Sequence, residues 1–228
     1  MADTLTIPTE RGAVSALRYG ASDPHAPVLV LAHGAGAPQQ SAFMVAFAKA
    51  MQARKVTTVT FNFLYTEQRR RVPDRAPVLE ATWRAAIEHL VSTRAGGTAL
   101  VIGGKSMGGR IASHVLTDAA HPQNDVAGLV LLGYPLHPPG QPDKLRIAHL
   151  PALRTETLVV QGSDDGFGTE HEVRAAFAAV PARVDWLVVP GGDHSFKVPR
   201  STGRPSEEVF NGIYDWVAAW VRERAAGR

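Results

Sequence analysis

Cysteine is missing from this 228-residue chain. That absence excludes disulfides, thiolate nucleophiles and cysteine-ligated zinc together. Long apolar runs are missing as well: no stretch approaches the roughly 20 residues that a membrane helix needs. The opening Met1-Ala2-Asp3-Thr4 lacks the basic, apolar and small-residue regions of a secretory leader. No membrane association and a cytoplasmic location are therefore expected. Charge of one sign is scarce. Against 21 acidic residues stand 24 basic ones, a net charge of +3, too weak without a focused patch to expect a nucleic-acid partner. Lysine is rare: 19 of the basic residues are arginine, a bias of composition rather than of function. Repeats, low-complexity tracts and linkers are absent too, and the length suits a single compact domain over residues 1–228 with a sizeable core.

What is present is an alternation of short apolar runs and amphipathic segments, the pattern of an α/β fold with a mainly parallel sheet. Residues 4–7 and 13–19, split by Glu10-Arg11-Gly12, predict an opening hairpin. Strands are predicted over 28–32, 57–61, 99–103, 128–133, 157–162 and 185–190. Continuous apolar runs such as Val28 to Ala32 suit strands buried on both faces. Helices are predicted over 41–54, with Phe43, Phe47 and Met51 in one stripe, over 77–94, stopped by Gly96-Gly97, over 169–179 and over 206–226. The last of these buries Val209, Phe210, Ile213, Trp216, Val217 and Trp220, with Ser206 supplying a capping hydroxyl. The proline-rich stretch from Tyr134 to Pro151 is a loop too short to hold a helical cap, which predicts an open site.

Chemistry enters with Gly104-Lys105-Ser106-Met107-Gly108. A Gly-x-Ser-x-Gly between a strand and a helix is a nucleophile elbow: the turn holds the serine in a strained conformation that lifts its hydroxyl clear, and the flanking glycines permit close strand–helix packing. Its partners should follow in the order acid, then histidine. After the strand ending at Gln161 comes Gly162-Ser163-Asp164-Asp165-Gly166. Asp165 is the preferred acid, with Asp164 orienting the loop. After the last strand comes Gly191-Gly192-Asp193-His194-Ser195-Phe196, where His194 is the candidate general base. Upstream, His33-Gly34-Ala35-Gly36 follows a strand, so the amides of Ala35 and Met107 are the expected oxyanion hole. His33 itself reads as structural.

Lys105 precedes the nucleophile, and Arg69-Arg70-Arg71 with Arg75 follow the strand at 57–61. Both features lie near the carboxyl edge of the sheet, where α/β sites form. Lys105, Arg70, Arg71 and Asn62 are thus candidate substrate-binding residues, the arginines for a carboxylate or phosphate. The simpler reading of the arginine run, preferred here, is a solvated loop paired with Asp74 and Glu67.

The segments HGAGAP (33–38), FNFLYTEQRRRVPDR (61–75), GGKSMGGR (103–110), GYPLHPPG (133–140), VQGSDDGFG (160–168) and GGDHSF (191–196) span most of the chain. On them the sequence resembles the small, lid-less α/β-hydrolases of the dienelactone-hydrolase-like family. More closely, it looks like the subgroup related to a testis-expressed hydrolase-like protein and a histone acetyltransferase complex subunit. The resemblance implies a sheet of about eight strands, helices on both faces, no large cap, and Ser106, Asp165 and His194 as a triad. Dienelactone hydrolases themselves use a cysteine nucleophile, so their activity is not implied. The expected function is a serine hydrolase cleaving carboxylic esters or thioesters of small molecules, without metal or organic cofactor. The alternatives are a non-catalytic binding or scaffold protein on the same fold, and a peptidase or amidase with the same triad.

Overall fold

The computed structural model describes residues 2–94 and 100–226. Eight strands form one sheet: β1 (Asp3–Thr9), β2 (Gly12–Tyr19), β3 (Val28–Ala32), β4 (Thr57–Phe61), β5 (Leu100–Lys105), β6 (Val126–Leu132), β7 (Thr157–Gly162) and β8 (Val184–Val189). Their order across the sheet is β1-β2-β4-β3-β5-β6-β7-β8. β1 and β2 form an antiparallel hairpin, β2 runs antiparallel to β4, and all other pairs are parallel. The central strands read as apolar runs because both of their faces are covered.

Six helices do the covering: α1 (Ala42–Ala53), α2 (Leu64–Glu67), α3 (Ala76–Thr93), α4 (Met107–Val115), α5 (Glu170–Phe177) and α6 (Ser206–Ala226). Phe47 and Met51 of α1 pack with Ile213, Val217 and Val221 of α6 on one face. Leu79, Trp83 and Ile87 of α3, Ile111 of α4 and Phe177 of α5 fill the other. Trp83, fully buried, also donates from Nε1 to the Gly108 carbonyl at 3.1 Å, locking α3 to the start of α4.

The periodicity misplaces a few side chains. Phe43 and Phe210 are only part-buried because they line a cavity between α1 and α6. Trp216, expected inside, is 49% exposed; Ala218 and Val221 take up the inward face instead. Ser206 is the first helical residue rather than the cap: the Val209 amide already bonds the Pro205 carbonyl at 3.2 Å. The short α2 was not anticipated. The predicted stop at Gly96-Gly97, and the first residue of the strand predicted over 99–103, lie outside the described residues.

Candidate active site

Strand β5 delivers Ser106 to the carboxyl edge of the sheet, and the chain reverses there into α4. Ser106 carries φ 51° and ψ −118°, a conformation that is costly for a residue with a Cβ and is held only by its surroundings. Its amide donates to the Leu132 carbonyl at 3.0 Å, and its own carbonyl accepts from the Arg110 amide at 3.1 Å. The glycines are sterically required. A Cβ on Gly104 would lie 2.6 Å from the Ala32 oxygen and from the Gly108 carbonyl carbon, and one on Gly108 would strike the same Ala32 oxygen.

His194 Nε2 lies 2.9 Å from Ser106 Oγ, and His194 Nδ1 lies 2.7 Å from Asp165 Oδ2. Three residues 88 and 29 positions apart in the chain thus meet in one hydrogen-bonded line. Asp165 is 1% exposed. Its Oδ1 accepts from the Phe167 amide at 2.8 Å, and Oδ2 accepts a second bond from Gln161 Nε2 at 2.9 Å. Asp164 points to solvent and accepts from the Ser163 hydroxyl at 2.7 Å. The histidine loop is organised by Asp193, whose Oδ1 accepts from the amides of Ser195 and Lys197 at 2.7 and 2.9 Å. The Phe167 ring lies 4.2 Å from the imidazole of His194.

A cavity of about 920 Å³ opens beside Ser106, and His194, Ala35 and Met107 all contribute to its wall. The Met107 amide is that of the first residue of α4, hence one of the helix's unpaired N–H groups at the positive end of its dipole. His33, by contrast, is fully buried away from the cavity wall. Its Nε2 accepts from the Phe63 amide at 3.2 Å, so Nδ1 carries the proton and donates to the Gly34 carbonyl at 2.8 Å. Burial pushes its pKa down. His33 is a neutral bracket for the loop that presents Ala35.

Of the four candidate substrate residues, Lys105 alone reaches the cavity wall. Its Nζ is buried without a hydrogen-bond partner and lies 5.3 Å over the Phe196 ring. Burial lowers its pKa to about 8, against the opposing pull of Asp165 and Asp193. Asn62 is buried in a structural network: its Oδ1 accepts from the Gln39 amide at 2.9 Å, and its Nδ2 faces Ser15 Oγ at 3.4 Å. Arg70 and Arg71 are exposed and line no part of the cavity. Arg70 pairs with Asp74 at 2.6 Å, whereas Glu67 bonds the amide and hydroxyl of Ser15 rather than an arginine. The cavity instead takes its guanidinium groups from Arg110 and Arg146, which sequence reasoning missed. Arg110 had a signal, standing one helical turn after Ser106. Arg146 sits in an irregular loop and had none. Gln161 was also missed, although a lone polar residue closing the run Leu158-Val159-Val160 is itself a signal.

Among the described residues, no group of three or more histidine, aspartate or glutamate side chains is placed to hold a metal ion, and no helix is long and apolar enough to cross a membrane.

A parallel-sheet sandwich with a strained serine at a strand–helix turn defines an α/β-hydrolase-type architecture. A family described as "Alpha/beta hydrolase domain" matches residues 25–222, and the chain belongs to it. Two Mycobacterium tuberculosis proteins, from strains CDC 1551 and H37Rv, each provisionally named a phosphoribosyl transferase, are 28% identical to it over 195 residues. That match covers 83% of this chain but 40% of theirs, so the chain spans about two fifths of the length of these relatives. Among solved structures, DcsB in complex with a substrate analogue superposes with a TM-score of 0.77 at 13% identity, covering 99% of this chain and all of that one. Dienelactone hydrolase from Anabaena variabilis gives 0.75 at 14% identity, covering 98% and 97%. At such identities the likeness is one of fold.

Proposed function

We propose that this chain is a serine hydrolase that cleaves carboxylic ester or thioester bonds of small substrates through an acyl-enzyme on Ser106. The observation that carries the reading is the unbroken line from Ser106 Oγ through His194 to Asp165, at 2.9 and 2.7 Å, on the wall of an open cavity. Asp165, acceptor only when ionised, fixes the Nδ1–H tautomer of His194 and leaves Nε2 free to accept the serine proton.

In the reaction, Ser106 Oγ attacks the carbonyl carbon as its proton passes to His194 Nε2. The tetrahedral oxyanion is held by the amides of Ala35 and Met107, and His194 returns the proton to the departing alcohol or thiol. Water, deprotonated by the same nitrogen, then attacks the acyl-enzyme and frees the acid. No step calls for a cofactor.

A non-catalytic scaffold role on the same fold is the competing reading, since fold alone does not fix function. The complete Ser106-His194-Asp165 geometry favours the enzyme. A fluorophosphonate probe decides: labelling of wild type and none of Ser106→Ala is expected, with loss of p-nitrophenyl ester turnover in the variant. An unlabelled wild-type protein would refute the reading.

A further inference from the structure

Two guanidinium groups on the cavity wall form no ion pair among the described residues. Arg110 extends from α4 one turn beyond Ser106, and Arg146 comes from the loop between β6 and β7; both line the cavity that Ser106 opens onto. Burial first, then the charge of Arg146, hold the Arg110 guanidinium below its ordinary pKa, against the opposing pull of Tyr134 and Glu80. A guanidinium does not shed its proton in a protein, so both positive charges persist at the one cavity.

The protein leaves them largely unanswered. Arg110 Nη1 donates to His114 Nε2 at 3.4 Å, a long bond to a neutral ring, and Arg110 Nε is buried with no partner. Arg146 donates once, from Nη1 to the Pro135 carbonyl at 3.2 Å. Neither forms an ion pair among the described residues. The carboxylate on the cavity wall, Asp74, is bonded to Arg70 at 2.6 Å. Behind Arg110, Glu80 bonds His114 Nδ1 at 3.1 Å. Lys105 Nζ lies over the Phe196 ring and feels the charges of Asp165 and Asp193. Both side chains are part-buried at the cavity, and guanidinium forks match planar or tetrahedral oxyanions.

We propose that Arg110 and Arg146 form an anion subsite, and that the ester or thioester cleaved at Ser106 carries a carboxylate or phosphate group that docks there. This rests on the serine-hydrolase reading and adds the substrate class to it. The arginine pair that selects the anion is therefore not the exposed Arg70–Arg71 run but one arginine on the elbow helix and one on the loop between β6 and β7.

The test compares mono-p-nitrophenyl succinate with p-nitrophenyl butyrate, of similar acyl length. In Arg110→Gln and in Arg146→Gln, the ratio of kcat/KM for the charged ester to that for the neutral one is expected to fall about tenfold to hundredfold, the loss of one charge-assisted hydrogen bond. Arg110→Lys and Arg146→Lys keep the charge but lose the fork, and guard against a folding defect; a smaller fall is expected. Arg71→Gln, on the exposed run, leaves the ratio unchanged. Calorimetric titration with succinate and with inorganic phosphate reads the subsite without turnover. Binding by wild type, weakened tenfold or more in both glutamine variants, supports it, and the tighter ligand tells carboxylate from phosphate. An unchanged ratio, equal losses on both esters, or no binding of either anion overturns the subsite. Absent fluorophosphonate labelling with anion binding intact would overturn the hydrolase reading and leave the subsite standing.

Discussion

Gln161 Nε2 donates to Asp165 Oδ2 at 2.9 Å, the same oxygen that faces His194. The amide also donates to the Gly168 carbonyl and accepts from the Tyr134 amide, each at 2.8 Å. Gln161 thus clamps the acid loop to the chain leaving β6. It touches no substrate, so it is a positioning residue. Gln161→Ala leaves several buried polar groups unmatched, each costing about 1–3 kcal/mol. At about 2–4 °C per kcal/mol for a chain of this size, Tm should fall by several degrees, and kcat on a p-nitrophenyl ester by more than tenfold with little change in KM. A variant with normal kcat would dismiss the positioning role.

The acid should show itself by tautomer control. Asp165→Asn keeps size and shape but donates toward His194 Nδ1, which turns the proton onto Nε2 and away from its task. A fall in kcat of about 10³–10⁴-fold is expected. Asp164→Asn, at a solvent-facing position, should stay within about twofold. Reversal of the two results would move the acid by one residue.

Lys105 predicts a pH effect on stability. Its ammonium is buried without a hydrogen-bond partner, and its pKa falls to about 8 from an ordinary 10.5. Between those two values the unfolded chain binds the extra proton and the folded one does not, so this contribution to stability rises with pH. Below about pH 8 both states are protonated and the burial penalty is felt in full. Lys105→Met fills the same space without charge. It should raise Tm by a few degrees at pH 7, with the gain shrinking toward pH 10. Thermal denaturation across that range checks it, and a gain that grows with pH would contradict the assignment.

His149 works in the opposite pH range. Its Nε2 donates to Ser113 Oγ at 2.8 Å, because the Ser113 hydroxyl proton is already given to the Arg110 carbonyl at 2.7 Å. Burial first, then His114 and Arg110, lower its pKa to about 3. The neutral ring is favoured in the fold, so its stabilising contribution is present above the ordinary pKa of about 6.5 and drains away as pH falls toward 3. His149→Gln can donate the same bond without titrating. Its Tm should therefore drop less than that of wild type between pH 7 and pH 5.

The sheet was legible because burial on two faces writes itself as unbroken apolar runs: 28–32, 57–61 and 157–162 coincide with β3, β4 and β7. The positions of Ser106, Asp165 and His194 were legible because turn geometry demands glycine beside them. What escaped was anything fixed by tertiary approach. The periodicity of α6 cannot tell a side chain facing the core from one facing a cavity, so Phe210 was counted as core, and it placed Trp216 inside when it faces water. The exposed run of arginines lines no part of the cavity, whereas Arg110 and Arg146, far apart in sequence, both do.

That helix has one more consequence. Ser106 stands at its cap, the Met107 amide opens its first turn, and Arg110 follows one turn on, about 6 Å along the axis at 1.5 Å per residue. On the proposed reading, nucleophile, oxyanion donor and one guanidinium of the subsite are therefore graduations on one rigid ruler. The helix fixes the backbone spacing from Ser106 to Arg110, whereas Arg146 sits on a loop. On that reading turnover should depend on the number of atoms between the scissile carbonyl and the far charge, which kcat/KM across p-nitrophenyl monoesters of dicarboxylic acids of increasing length checks.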